Sequence, residues 1–163
     1  MPSEWVMYLS VVAIGVLAIA GVTLTFNTIN LNTVENTVEV GLTEAIQTVA
    51  REIKSVLELG LNTEPLTRVA ISRTLSLPAD ISGHEYEITF KVLPGAKNWI
   101  IEGLDISDTN SDEVTFETTI SWQSVTLTNE GGTGLPIIKS IDAQHHIDFI
   151  RAAGSNTFTI YIW

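Results

Sequence analysis

Three oxygen-bearing side chains alternate along a polar stretch of the sequence: Asp108, Asn110 and Asp112. This Asp-x-Asn-x-Asp spacing opens the loops that bind calcium through carboxylate and amide oxygens. Position six of such a loop needs a glycine and position twelve a bidentate carboxylate, but the chain has Glu113 and Thr119 there. We therefore expect a solvated turn between strands. We predict no metal site, and these three residues are only weak candidates for one.

A second group of metal-binding residue types lies near the C-terminus, where His145, His146 and Asp148 are close in sequence. Zinc takes such ligands, but adjacent residues of a strand point to opposite faces. Only His146 and Asp148 would share a face, and two ligands do not make a site. No spaced signature of a nucleophile is present, and the glycines of residues 131–134 open no helix that could hold a phosphate. We predict that the chain is not an enzyme and needs no cofactor.

The composition narrows the classes of function further. The 163 residues include 19 acidic and 8 basic side chains, for a net charge of −11, and no cysteine. We do not expect an acidic chain without basic clusters to bind nucleic acid. Without disulfides, stability must come from packing. The 20 threonines suit the exposed faces of β-strands.

The most informative stretch is an uncharged run of 22 residues from Trp5 to Phe26. As a helix it would be about 33 Å long, enough to cross the hydrocarbon core of a bilayer. No basic residue precedes Arg51, whereas an anchor inserted as it stands carries Lys or Arg on its cytoplasmic flank. We therefore expect either that a basic leader no longer present set the orientation, or that the helix ends up packed against protein.

The helical pattern continues beyond the apolar run. Apolar residues recur at spacings of three and four over residues 34–59, and Gly60 followed by Pro65 gives a stop signal. Residues 27–33 are rich in Asn and Thr, which are mediocre helix formers. The pattern predicts one helix from about Ser3 to Leu59, weak or bent near residues 27–33; two helices that meet there are the alternative. The predicted domains are the helix, residues 1–60, and a head, residues 66–163.

The head shows the alternation of β-strands. Apolar residues alternate in several short segments separated by turn signals, which predicts six or seven strands in an antiparallel β-sandwich. The parity changes between Trp122 and Val125, which indicates a β-bulge or a bend near Gln123 and Ser124. The predicted fold class is α+β, with a long apolar-then-amphipathic N-terminal helix followed by the sandwich. Trp99 and Trp122 are expected in its core.

This layout resembles the type IV pilins. An apolar N-terminal helix that becomes amphipathic and leads into a β-rich head without disulfides is most similar to the archaeal branch, which includes adhesion pilins and archaellins. In that family a dedicated peptidase removes a short basic leader just before the apolar segment, which implies that Met1 is the mature N-terminus; the alternative is that Met1 is the initiator and the leader is missing. Bacterial members carry a glutamate at the fifth mature position that pairs with a neighbour's amino terminus. Here Glu4 lies one position earlier, and we retain it as a possible contact between subunits.

The resemblance implies a structural subunit that polymerises into a helical extracellular filament and supports surface attachment or cell contact. Its partners would be identical subunits, and the membrane before assembly. Trp163 lies opposite in parity to its strand's apolar face, so we expect it to pack on the helix or on a neighbouring head. One alternative is a single-pass anchored accessory or stator protein of an archaeal surface machine, and another is a secreted head with an uncleaved signal sequence. The residues expected to form the assembly helix are Trp5, Val6, Leu9, Val12, Ile14, Gly15, Leu17, Ile19, Gly21, Val22, Leu24 and Phe26.

Overall fold

The computed structural model describes residues 2–64, 67–108, 111, 113–142 and 144–163, without the side chains of residues 2–4, 6, 11, 31 and 32. One long helix, α1 (Pro2–Leu61), precedes eight described strands. These are β1 (Val69–Leu75), β2 (Tyr86–Lys91), β3 (Asn98–Asp105), β4 (Val114–Ser121), β5 (Val125–Asn129), β6 (Ile137–Lys139), β7 (His145–Arg151) and β8 (Phe158–Ile162). The α+β class is confirmed.

Helix α1 runs without a break through residues 27–33, so the alternative of two helices is wrong. The hydroxyls of Thr28 and Thr33 donate to the carbonyl oxygens of Leu24 and Ile29, four residues earlier, at 2.9 and 2.8 Å. These bonds give each hydroxyl a partner inside the helix, so it does not compete for other backbone groups. The helix therefore accommodates the polar threonines of this segment.

The chain forms two compact units, Met1–Thr37 and Val38–Trp163. The division between these two units lies within α1. Residues 38–61 belong to the second unit because their apolar side chains contribute to its core. Leu42, Ile46, Val49, Ile53 and Val56 are at most 1% exposed.

The strands form two four-stranded sheets, with the orders β1-β7-β8-β5 and β4-β3-β2-β6. The prediction of a wholly antiparallel arrangement is wrong at one place, because β5 pairs with β8 in parallel, from Val125 opposite Phe158 to Asn129 opposite Ile162. A parallel pair needs a long crossover, and here residues 130–157, with β6 and β7, supply it. Strand β6 was not foreseen because three residues are too few to show alternation.

The parity change after Trp122 marks a passage between sheets and not a bulge within one strand. Strand β4 ends at Ser121 in one sheet, and β5 begins at Val125 in the other. The Ser124 amide donates to the Ser121 carbonyl at 3.3 Å and closes a turn between them. Each strand therefore buries its own set of alternate residues, and the predicted bend is the correct alternative.

The end of α1 is fastened by a buried arginine on β7. The Arg151 side chain is 4% exposed, and its Nη2 donates to the carbonyls of Thr63 and Glu64 at 3.1 and 2.7 Å. The last turn of α1 contains no basic residue of its own. Arg151 thus supplies the positive charge that favours a helix C-terminus and ties the chain after α1 to the sheet.

Candidate functional site

The apolar side chains of the first half of α1 are left uncovered. Their exposed fractions range from 44% for Val12 to 72% for Trp5, Met7 and Leu17. Successive helical residues are rotated by about 100°, so this exposed apolar surface runs all round the helix and forms no single stripe. We call the described side chains of residues 5–30 the apolar collar.

Most residues expected to form the assembly helix lie in the apolar collar. Exposed side chains belong to Trp5, Leu9, Val12, Ile14, Leu17, Ile19, Val22, Leu24 and Phe26. The side chains of Glu4 and Val6 lie outside the described ones. The residues expected to form the assembly helix did not include Met7, Tyr8, Val16 and Ile29, which are between 57% and 72% exposed. The first three belong to the uncharged run, which was the signal that could have included them.

Two glycines leave depressions in the surface of the apolar collar. A Cβ atom added at Gly15 or Gly21 would meet no atom within 4 Å beyond its chain neighbours and the adjacent helix backbone. The chain itself therefore gives no packing reason for glycine at these positions. Small residues at such places let a second helix approach closely.

The threonine hydroxyls of the apolar collar are bonded within the helix. The hydroxyls of Thr23, Thr25 and Thr28 donate to the carbonyls four residues earlier, each at 2.9 Å. A hydroxyl bonded in this way needs no water, because its proton already has an acceptor. These threonines are therefore compatible with lipid or with the apolar surface of another protein. Helix α1 is long and apolar enough to span a membrane.

The C-terminal tryptophan packs on its own sheet. The Trp163 ring stacks on His146 with centroids 4.5 Å apart, and its Nε1 donates to Asp148 Oδ2 at 3.2 Å. Its backbone also exchanges hydrogen bonds with His146, at 2.6 and 3.2 Å. The side chain is still 43% exposed, so contact with a neighbouring head stays a prediction.

The two adjacent histidines point to opposite faces, as predicted for a strand. His145 is buried, and its burial lowers the pKa of the imidazole from its ordinary value. His146 and Asp148 lie on the other face with Trp163. Across the described ranges, no group of three or more histidine, aspartate or glutamate side chains could hold a metal ion. The weak candidates Asn110 and Asp112 lie outside those ranges, and the Asp108 carbonyl accepts from the Ser111 amide at 3.2 Å.

The two central tryptophans have different environments. Trp99 is buried and donates its Nε1 to the Val125 carbonyl at 2.8 Å, which links the two sheets. The expectation that Trp122 is also in the core is wrong, because it is 40% exposed and donates to the Ala96 carbonyl at 2.9 Å. Trp122 directly follows β4, where the chain turns towards the other sheet, so its parity does not predict burial.

Comparisons with protein-family models, with curated protein sequences and with solved structures give no match to this chain.

Proposed function

We propose that this chain is the structural subunit of an extracellular filament similar to a type IV pilus. The apolar collar would hold the subunit in the cytoplasmic membrane before assembly and would form the filament's helical core afterwards. The two sheets would pack as a β-sandwich with residues 38–61 and form the head that faces the surroundings and makes surface or cell contacts.

The apolar collar is the observation that carries this proposal. Covering such a helix removes about 2,000 Å² of apolar surface from water, which corresponds to tens of kcal/mol at about 25 cal/mol per Å². The loss of freedom on association offsets part of that gain but leaves a strong drive to cover the helix. A collar that is apolar all round fits a central bundle, where neighbours approach from several sides.

The transfer from membrane to filament requires a surface that is stable in both places. The backbone groups of α1 are paired inside the helix, and its threonine hydroxyls bond to their own helix. Neither environment therefore has to supply hydrogen-bond partners for these backbone groups and hydroxyls. Copies related by one repeated rotation and translation that does not close would build a helical polymer.

Electron microscopy of filaments sheared from the producing cells, with mass spectrometry of the purified material, tests this function. We expect this chain to be the main protein of a filament, because only neighbouring copies provide enough apolar surface for every collar. An anchored accessory protein has its collar covered by lipid. Recovery of the chain only as a monomer in the membrane fraction would contradict the proposal and favour that alternative.

A further inference from the structure

A shallow groove of about 390 Å³ lies between α1 and the edge strand β4. Its floor includes Ala50, Thr118 and Ile120, which are at most 9% exposed. The Thr118 hydroxyl donates to the Trp99 carbonyl at 2.8 Å and accepts from the Ile120 amide at 3.1 Å, so its polar atom is satisfied. The floor is therefore effectively apolar. We call this feature the α1–β4 groove.

Two cations stand at the rim of the α1–β4 groove. Arg51 and Lys54 are both exposed and are two of only 8 basic residues in the chain. Arg51 donates to the Gln47 carbonyl and the Thr48 hydroxyl of its own helix, and Lys54 lies 3.9 Å from Glu58 in an exposed pair. Exposed pairs of this kind are weak, so both charges can be engaged by another carboxylate.

An acidic segment with one uncovered apolar side chain lies earlier on the same helix. Glu39 and Glu44 are exposed, and neither has an ion pair among the described contacts. Val40 is 59% exposed, and it is the one large apolar side chain of residues 38–58 that is exposed. This segment therefore complements the groove in both charge and polarity.

The segment cannot enter the groove of its own chain. Val40 and Lys54 are fourteen residues apart on one helix, about 21 Å along its axis, so they cannot meet. Only another copy can bring them together. In parallel copies, pairing Glu39 with Arg51 or Glu44 with Lys54 requires an offset of about 15–18 Å along the helix.

We propose that the α1–β4 groove receives residues 39–44 of a second copy of this chain, with Val40 over the apolar floor and the two glutamates beside Arg51 and Lys54. This inference rests on the proposed function, and it adds a specific contact between heads that sets the offset of neighbouring subunits. The collar alone cannot set that offset, because apolar contacts are not directional.

Engineered cysteines test the contact directly, because the chain has none of its own. Val40→Cys combined with Thr119→Cys places one thiol on the segment and one at the groove. In assembled filaments we expect mild oxidation to give a ladder of disulfide-linked multimers on a non-reducing gel. Each single variant, and Val40→Cys combined with Thr126→Cys on β5, should give at most dimers. Normal filaments from the first pair without a ladder would overturn the inference.

Charge reversal gives a second, independent measurement. Arg51→Glu with Lys54→Glu should lower filament yield by about tenfold, since like charges then face each other across the contact. Adding Glu39→Lys and Glu44→Lys should restore most of that yield. Arg68→Glu with Lys97→Glu changes the charge equally at exposed positions outside the groove and serves as the control. An equal loss in the control, or no rescue by the added changes, would contradict the inference.

The two proposals fail in different ways. If the unmodified chain forms no filament, the proposed function is overturned and this inference with it. If the unmodified chain forms filaments while the cysteine pair gives no ladder and charge reversal has no effect, this inference alone is overturned. Circular dichroism and thermal unfolding of each purified variant in detergent distinguish a loss of assembly from a loss of folding.

Discussion

At the scale of single residues, Tyr86 shows how one buried polar atom holds a loop. Tyr86 is 1% exposed, and its hydroxyl donates to the Pro78 carbonyl at 2.6 Å, which fixes the connection between β1 and β2. Its amide donates to the Ser140 hydroxyl, and its carbonyl accepts from the Ser140 amide, both at 2.9 Å. Tyr86 therefore joins three segments of the second unit.

We expect Tyr86→Phe to lower the free energy of unfolding by about 1 kcal/mol at pH 7, because the Pro78 carbonyl loses its donor. Burial raises the pKa of Tyr86 from 10.0 to about 12. Above pH 10 the unfolded chain then loses this proton before the folded chain does, so the phenol's contribution to stability falls as the pH rises from 10 to 12. The difference between wild type and Tyr86→Phe should shrink or reverse over that range. Denaturant unfolding in detergent at each pH measures it, and a constant difference would contradict the expectation.

At the scale of the elements, the periodicity of apolar residues predicted those helices and strands that bury one face formed by residues close in sequence. The helix was predictable because its spacings of three and four match the residues it buries, such as Leu42, Ile46 and Ile53. Strands with a clear alternation were predictable for the same reason. The parallel pair of β5 and β8 was not, because the choice of partner depends on contacts between residues about 30 positions apart in sequence.

The candidate site likewise has features that local sequence patterns predict and features that they do not. The apolar collar could be predicted directly from the uncharged run, because an apolar side chain is recognised in the sequence without knowing which residues it contacts. The stacking of Trp163 on His146 required the registry of β7 against β8, which brings the end of the chain beside residue 146. The α1–β4 groove combines a helix with a strand more than 60 residues later, and no local pattern connects them.

Close packing between α1 and β7 gives a prediction at the element scale. A Cβ added at Gly60 would lie 2.3 Å from Cε1 and Cζ of Phe149, a fully buried ring. Alanine is the better helix former by about 1 kcal/mol, but a rigid buried ring cannot move away freely. We expect Gly60→Ala to destabilise the second unit by about 1–3 kcal/mol. Gly131→Ala, where the nearest atoms are 3.6 Å away, is the control. Denaturant unfolding, monitored by tryptophan fluorescence, measures the free energy of unfolding of each variant. A Gly60→Ala variant as stable as wild type would refute the packing argument.

At the scale of the whole molecule, substitutions of the two glycines in the apolar collar distinguish a subunit that polymerises from a protein that is only anchored in the membrane. A Cβ added at Gly15 or Gly21 meets no atom within 4 Å beyond the adjacent helix backbone, so leucine has room at both positions and keeps the helix apolar. Lipid adapts to the added side chains, so an anchored monomer should keep its membrane level and its thermal unfolding.

In a filament core the same leucines would push closely packed helices apart. Overpacking costs about 1–3 kcal/mol per site, which is roughly a tenfold to hundredfold loss in the association constant. We therefore expect Gly15→Leu with Gly21→Leu to abolish most filaments while the amount of chain in the membrane stays unchanged. Electron microscopy of sheared material and immunoblots of the membrane fraction measure the two quantities. Val16→Leu with Val22→Leu, which adds less volume at neighbouring collar positions, is the control. Normal filaments from the glycine variant would show that these helices do not approach closely at residues 15 and 21.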